Sequence, residues 1–275
     1  MNKSRPVRAC WLGSTGYREA WDLQAELVSG IRDGGAPDTL LLLEHPHVFT
    51  MGKAASADHL LWNEDERSRR DVDVIWSDRG GEATYHGPGQ LVGYPIIDLA
   101  QFELTIPAYL EKLEQSLIEY LRELGIDSEP GERGLTGVWA HGEKLAAIGI
   151  KLNRSIVSHG FALNLTTDLD YFNGIVPCGH ADKRPTSVEA LTGKRLDTNT
   201  AARDYATHFA TVFGAQVEWG SPEIALAGRA QGAHPTLGIS EGLGTVFIAV
   251  RIGICADWGL TAGGFGVGRD RVSQL

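Results

Sequence analysis

The sequence is poor in cysteine and has no long hydrophobic run. Its three cysteines, Cys10, Cys178 and Cys255, are too few and too far apart to form a disulfide framework or a cysteine-based zinc site. No stretch approaches the roughly 18 apolar residues that a membrane-spanning helix requires. The N-terminal segment has basic residues but lacks the apolar core of a signal peptide. We therefore predict a cytoplasmic protein in a reducing environment, with no membrane association.

An excess of positive charge is also lacking. The chain has 25 lysines and arginines against 35 aspartates and glutamates, and its net charge of −10 argues against general nucleic-acid binding. Its 275 residues, 43% of them hydrophobic, are enough to form a sizeable core.

The hydrophobic spacing predicts more strands than helices. Apolar residues at helical intervals predict three helices, at Tyr17–Ile31, Pro107–Leu124 and from Asp197 or Thr198 to Phe213. Apolar runs predict strands at 39–43, 48–52, 72–77, 91–99 and 157–165, and a hairpin at 137–140 and 144–152. We expect residues 54–70 to be an exposed connector. This pattern predicts an α+β fold in which helices pack on a mostly antiparallel or mixed sheet.

Composition changes near residue 220. We expect residues 1–220 to form a single domain, whereas residues 221–275 are rich in glycine and show no clear packing pattern. We predict that this C-terminal tail is poorly ordered.

A glycine loop with the sequence RGGEATYHGPGQ occupies residues 79–90. Four glycines and one proline make it a poor helix and a poor strand, while glycine allows the main chain to approach a ligand closely. Polar side chains lie between the glycines, namely those of Arg79, Thr84, Tyr85, His86 and Gln90. The loop is therefore either a cradle for a ligand or a structural turn whose polar residues are incidental.

Cys178 is one candidate for chemistry. Because Pro177 and Gly179 flank it, we expect it on a turn that leaves its sulfur accessible. A catalytic thiol also needs a nearby cation or base, and His180 is close in sequence. Most unpaired cysteines are structural, so position alone does not decide the role of this one.

Lys144 is the other candidate. It begins the apolar run KLAAIGI, so it is either a strand lysine that points to water or a partly desolvated base. The small residues Ala146, Ala147 and Gly149 leave room beside this strand. On a neighbouring strand, His159 is best interpreted as a core histidine whose hydrogen bonds are satisfied.

Four separate stretches resemble one family, the lipoyl (octanoyl) transferases. The glycine loop matches the signature of that family, and residues 44–52 (EHPHVFTMG) are similar to its early segment. Residues 144–149 (KLAAIG) resemble its lysine motif, and Pro177–Gly179 resembles its nucleophile turn. The four motifs occur in the expected order and together span about residues 10–215, which makes the resemblance specific.

The resemblance implies a biotin/lipoate protein ligase-like fold, no cofactor and no metal. It implies that Cys178 forms an acyl-thioester intermediate and that Lys144 lowers the pKa of this thiol and acts as a base. The substrate-binding residues it implies are Arg79, Gly80, Gly81, Glu82, Ala83, Thr84, Tyr85, His86, Ala147, Ile148, Gly149, Gly160, Phe161 and Ala162.

The resemblance also implies partners. Octanoyl-acyl carrier protein would be the donor, and the lipoyl domains of 2-oxoacid dehydrogenase E2 subunits and the glycine cleavage H protein would be the acceptors. Because acyl carrier proteins are acidic, like this chain, they would need a local basic patch. The candidates for that patch are Lys53, Arg69, Arg70, Lys183 and Arg184.

Two other functions are compatible with these residues. ATP-dependent lipoate or biotin ligases share the broad fold and a similar loop, but they activate the acid as an adenylate, need no cysteine and lack the Gly87-Pro88-Gly89 turn. A binding module that holds acyl groups or acyl carrier protein without turnover is the third reading, and it predicts binding that survives alkylation of Cys178.

Overall fold

The computed structural model describes residues 5–132, 135–176 and 184–221. Cys178, the predicted turn around it and Lys183 lie outside these ranges, as does the predicted tail beyond Ser221. Within the described ranges, no helix is both long enough and apolar enough to span a bilayer.

The described residues form eleven strands. In chain order these are β1 (Arg5–Ser14), β2 (Thr39–Glu44), β3 (Val48–Met51), β4 (Asp73–Trp76), β5 (Ala83–His86), β6 (Gln90–Ile96), β7 (Glu129–Pro130), β8 (Gly137–Ala140), β9 (Glu143–Asn153), β10 (Ile156–Asn164) and β11 (Ala215–Trp219).

Eight of these strands form the main sheet, in the order β11-β1-β2-β6-β10-β9-β8-β7. Strand β1 runs parallel to both β2 and β11, whereas the remaining pairs are antiparallel. A second sheet has the order β4-β3-β5. The predicted α+β class with a mixed sheet is confirmed.

Five α-helices accompany the sheets within the described ranges: α1 (Tyr17–Arg32), α2 (Glu64–Arg69), α3 (Ile106–Glu123), α4 (Val188–Thr192) and α5 (Thr198–Phe213). Short 3-10 helices lie at Ala57–His59 and Leu169–Gly174. The three predicted helices α1, α3 and α5 are confirmed. The side chains of Thr105 and Asp197 cap the N-termini of α3 and α5, respectively, each accepting a main-chain N–H bond from the first turn.

Strand β2 explains how the helices are distributed. Because side chains alternate across a strand, Leu40 and Leu42 pack into the core that includes α3 and α5, while Leu41 and Leu43 pack into the one that includes α1. Burial on both faces accounts for the uninterrupted apolar run of this strand. Cys10 is fully buried among the residues around α1, where it packs as a core residue.

Some local predictions were wrong. Residues 54–70 are not merely a connector, because α2 forms there with Asn63 capping it and acidic residues filling its first turn. The glycine loop is not wholly irregular either, since Ala83–His86 forms β5 and pairs with β3.

Candidate active site

An open cavity lies between the glycine loop, β9 and β10, with about 540 Å³ of empty space when the part open to solvent is included. Three segments that are distant in sequence meet around it. The predicted residues that line it are Arg79, Gly80, Gly81, Glu82, Ala83, Thr84, His86, Lys144, Ala147, Ile148, Gly149, Gly160, Phe161 and Ala162.

Antiparallel pairing of β9 with β10 creates the wall of this cavity. Gly149 lies opposite Gly160, and Ala147 lies opposite Ala162. Residues two apart on a strand share a face, so these two small pairs lie side by side on one face of the sheet. Their small side chains leave the empty space that larger residues would fill.

The glycine loop lies directly against this wall. The main-chain N–H of Gly80 donates to the carbonyl oxygen of Ile150 at 2.8 Å. A Cβ atom added at Gly149 would lie 2.9 Å from the Gly80 oxygen, and one added at Gly52 would lie 2.3 Å from the Gly81 oxygen. Glycine at positions 149 and 52 therefore allows the close approach of the loop to both sheets.

Arg79 is buried and holds the start of the loop. Its Nε donates to the Thr50 hydroxyl at 3.1 Å, and its Nη1 donates to the Gly80 oxygen at 3.0 Å. His86, near the other end of the loop, has Nε2 at 3.3 Å from the same hydroxyl and Nδ1 at 2.8 Å from Gln90 Oε1. Burial holds the pKa of His86 well below its ordinary value, so this imidazole is neutral at pH 7.

Tyr85 is the predicted substrate-binding residue that does not line the cavity. It points to the other side of β5, where its hydroxyl lies 2.8 Å from His47 Nδ1. Its ring stacks on that of Tyr171, with the ring centres 5.0 Å apart. This orientation follows from the alternation of side chains along the strand.

A second lobe adjoins the cavity, with about 500 Å³ of empty space when the part open to solvent is included. The residues common to both spaces are Thr84, Lys144, Ala147 and Ala162. The Lys144 side chain therefore lies where the two spaces meet, with its Nζ 4.9 Å from the centre of the Trp139 ring.

The predicted nucleophile, Cys178, lies outside the described residues, but the residues on both sides of it are held by main-chain bonds. Before it, the N–H of Val176 donates to the His59 oxygen at 2.8 Å. After it, the Arg184 oxygen accepts from the Lys144 N–H at 2.8 Å, and the Thr186 N–H donates to the Lys144 oxygen at 2.9 Å. The chain that follows Cys178 thus returns to Lys144.

Aromatic residues that the sequence did not single out complete the cavity. Tyr17 and Tyr94 line it, with the Tyr17 hydroxyl 2.8 Å from Ser77 Oγ and the Tyr94 hydroxyl 2.7 Å from His45 Nε2. Tyr17 opens a helix and Tyr94 lies within a strand, so neither position carries a local signal for a site. Only the packing of α1 and β6 beside β10 brings them here.

His159 is buried, and its Nε2 lies 2.9 Å from Asp78 Oδ1, which confirms the interpretation as a satisfied core histidine. It also lines the cavity, in a left-handed backbone conformation with φ of 56°. Across the described ranges, no three histidine, cysteine, aspartate or glutamate side chains are grouped as a metal site would need.

Comparison with known proteins places the chain in a family. The family model for the lipoyl protein ligase A/B catalytic domain matches residues 16–210. An octanoyltransferase from Rubrobacter xylanophilus is 47% identical over 204 residues, covering 74% of this chain and 91% of that protein. An octanoyltransferase from Solibacter usitatus is 45% identical over 202 residues, covering 74% of this chain and 90% of that protein.

A solved structure supports the same fold. A bipartite lipoate protein ligase from Thermoplasma acidophilum superposes with a TM-score of 0.62 at 17% identity, covering 82% of this chain and 91% of that one. The ligase-like fold that the motifs implied is therefore confirmed. The chain belongs to the lipoyl protein ligase A/B catalytic-domain family and, within it, to the octanoyltransferases.

Proposed function

We propose that this protein transfers an octanoyl group from octanoyl-acyl carrier protein to a lysine amine of a lipoyl domain, through a thioester on Cys178. The observation that carries the proposal is the cavity between the glycine loop and the β9–β10 wall, with Lys144 where it meets the second lobe. The relatives named above as octanoyltransferases support the choice of acyl group.

The acyl chain occupies the space left by the small residues of the wall. Gly149, Gly160, Ala147 and Ala162 flank it, whereas the Phe161 ring packs against Tyr205 on the other face of the sheet. Each methylene removed from water contributes about 0.8 kcal/mol, so an eight-carbon chain gains substantial binding free energy from such a site.

In the first step, the Cys178 thiolate attacks the thioester carbonyl of the donor. A carbon–sulfur bond to Cys178 forms, the bond to the phosphopantetheine sulfur breaks, and Lys144 passes the thiol proton to the leaving thiolate. Exchange of one thioester for another is nearly balanced in energy. Main-chain N–H groups of the glycine loop stabilise the negative oxygen of the tetrahedral intermediate, and loss of one such donor typically costs ~10²–10³ in rate.

In the second step, the acceptor lysine attacks the acyl-enzyme. A carbon–nitrogen bond forms, the bond to the Cys178 sulfur breaks, and Lys144 carries a proton from the amine to the released thiolate. The product is an amide, which is more stable than a thioester, so this step is downhill. The acceptors that fit are the lipoyl domains of 2-oxoacid dehydrogenase E2 subunits and the glycine cleavage H protein.

The test is to mix the protein with octanoyl-acyl carrier protein and an apo lipoyl domain, without ATP, and to weigh every species by mass spectrometry. We expect a wild-type acyl-enzyme that decays into octanoylated lipoyl domain. Cys178→Ala should abolish both species, and Lys144→Ala should slow both steps. Cys255→Ser and Lys194→Ala are the matched controls, since they remove the same residue types elsewhere in the chain.

Two results would overturn the proposal. Wild-type turnover by Cys178→Ala would remove the covalent intermediate. An absolute need for ATP, with an adenylate in place of the acyl-enzyme, would favour a ligase reaction.

A further inference from the structure

Strand β10 ends at Asn164, but the edge of β9 continues to be paired. The last pair between the two strands joins Leu163 to Ala146. Two residues earlier in β9, the main-chain N–H of Lys144 donates to the Arg184 oxygen instead, and the Lys144 oxygen accepts from the Thr186 N–H. This segment therefore takes the place of β10 beside the end of β9 that carries Lys144.

The side chain of Asn164 joins the two segments. Its Nδ2 donates to the Thr186 carbonyl oxygen at 2.9 Å, and its Oδ1 accepts from Gln90 Nε2, also at 2.9 Å. Gln90 Nε2 also donates to the Tyr85 oxygen at 3.1 Å. Asn164, Gln90 and Thr186 are each less than 5% exposed, so water does not compete for these bonds.

One acceptor fixes which group donates and which accepts in each of these linked side-chain hydrogen bonds. The Thr186 carbonyl oxygen can only accept, so Asn164 must present its NH₂ group there and its oxygen to Gln90. Gln90 then presents its own oxygen to His86, whose Nδ1 must carry the proton. The other nitrogen, Nε2, is left to accept from the Thr50 hydroxyl. This single arrangement agrees with a neutral His86.

We infer that Asn164 is a positioning residue for Lys144. Through Thr186 it fixes the segment that bonds to the main chain of Lys144, and through Gln90 it ties that segment to His86 in the glycine loop. The inference rests on the proposed role of Lys144 as the base. The buried side-chain amides of Asn164 and Gln90 thereby hold the glycine loop and Lys144 in one arrangement.

Asn164→Asp is the sharpest variant, because it keeps the acceptor for Gln90 but places a carboxylate oxygen against the Thr186 oxygen. Asn164→Ala removes the tie without adding charge, and it is the variant to use if the aspartate variant does not fold. Asn153→Asp is the matched control. It introduces the same change at the exposed end of β9 in the same hairpin.

Two measurements are made on each folded variant. Peptide-resolved hydrogen exchange should show faster exchange at the Lys144 and Thr186 amides in the Asn164 variants and not in the Asn153 control. Steady-state transfer should show kcat reduced about tenfold to a hundredfold, the range expected when a reacting group is displaced by a fraction of an ångström to about 1 Å. KM for octanoyl-acyl carrier protein should change less than kcat, because Asn164 lines only the adjoining lobe and not the cavity proposed to hold the acyl chain.

Unchanged kcat in the Asn164 variants would overturn the inference, and so would a loss of kcat without faster exchange at Thr186, which would indicate a direct role in the chemistry. Failure of the proposed role of Lys144 is a separate result. It would appear as wild-type transfer by Lys144→Ala, whereas the exchange measurement reports on the Asn164 tie whatever the activity.

Discussion

The hydroxyl of Thr50 accepts a hydrogen bond of 3.1 Å from Arg79 Nε, so the first residue of the glycine loop is held by strand β3. The same hydroxyl lies 3.3 Å from Nε2 of His86, near the other end of the loop. Thr50 is completely buried. One side chain of the smaller sheet thus sets the positions of two loop residues that line the cavity.

Thr50→Val should destabilise the protein and loosen this loop. Valine has nearly the same shape but no hydroxyl, so the buried guanidinium and imidazole both lose a partner, at a cost of about 1–3 kcal/mol. Urea unfolding measures this loss, and KM for the acyl donor should rise because the loop that lines the cavity is less ordered. Thr50→Ser retains the hydroxyl and is the control. Equal unfolding free energies for the two variants would contradict the role given to this hydroxyl.

Buried histidines should make the protein less stable at acidic pH. Burial lowers the pKa of His45 to about 4, although its hydrogen bond to the Thr15 oxygen acts in the opposite direction. Since the folded pKa lies below the unfolded value of about 6.5, the stability is fully present above pH 6.5 and is lost as pH falls through 4. The difference corresponds to about 3 kcal/mol, to which His86 adds in the same direction.

Urea unfolding at a series of pH values between 7 and 4 checks this expectation. The decrease in unfolding free energy over that range should be smaller by about 3 kcal/mol in His45→Gln than in the wild type. His141→Gln, at an exposed position, should leave the decrease unchanged. A wild-type pH dependence in the His45 variant would show that this histidine is not the group that titrates.

The contribution of Asp38 to protein stability should have the opposite pH dependence. Burial raises the pKa of its carboxyl to about 6, while the main-chain N–H of Asp98 donates to it at 2.8 Å. A raised pKa means that the stability contribution is present below pH 4 and is lost as pH rises through 6. Asp38→Asn keeps the acceptor oxygen and removes the charge, so it should stabilise the protein by about 1–2 kcal/mol at pH 7.5, after allowance for solvent screening.

The gain from Asp38→Asn should vanish near pH 4, where the wild-type carboxyl is already protonated. Chemical unfolding at both pH values measures it. Asp58→Asn removes the same charge from an exposed site and should stabilise the protein at neither pH. Stabilisation that is equal at both pH values would mean that charge burial at Asp38 is not its cause.

The strands that could be predicted from the sequence are those whose own residues are apolar enough to indicate that they are buried. The apolar run Leu40–Leu43 belongs to a strand buried on both faces, so it could be predicted without its neighbours. Strand β1 could not, because Arg8 interrupts the run of its buried residues Val7, Ala9 and Cys10. Its position depends on parallel neighbours on both sides, β2 and β11. Strand β5 was hidden by the glycines around it, and pairing with β3 decides its conformation.

Only the parts of the site that lie within sequence motifs could be predicted. The glycine loop, the small residues of β9 and β10, and Lys144 each occur in a recognisable stretch. Asn164 bonds to Thr186, 22 residues further along the chain, and to Gln90, 74 residues before it. No local spacing connects these three residues, because only the end of β10 and the return of the chain to β9 bring them together.

Ala147→Leu should change the acyl-chain preference of the enzyme. Ala147 lies opposite Ala162 on the β9–β10 wall and lines both the cavity and the second lobe. A leucine side chain there would occupy space proposed for the acyl chain, and overpacking of a formed site typically costs about 1–3 kcal/mol. We therefore expect kcat/KM for octanoyl-acyl carrier protein to fall by about tenfold or more, since 1.4 kcal/mol corresponds to a factor of ten. Butanoyl-acyl carrier protein, whose chain needs less of the cavity, should lose less.

Ala100→Leu makes the same change at an exposed position and should leave both values of kcat/KM unchanged. The comparison of chain lengths within one variant separates narrowing of the cavity from general damage, because a damaged enzyme loses activity towards both donors alike. Equal losses for the two donors in Ala147→Leu, with an unchanged melting temperature, would mean that the acyl chain does not lie against this part of the wall. The acyl chain would then have to enter the lobe beside Trp139 without passing Ala147. That path is difficult, because Ala147 lines both the cavity and the lobe.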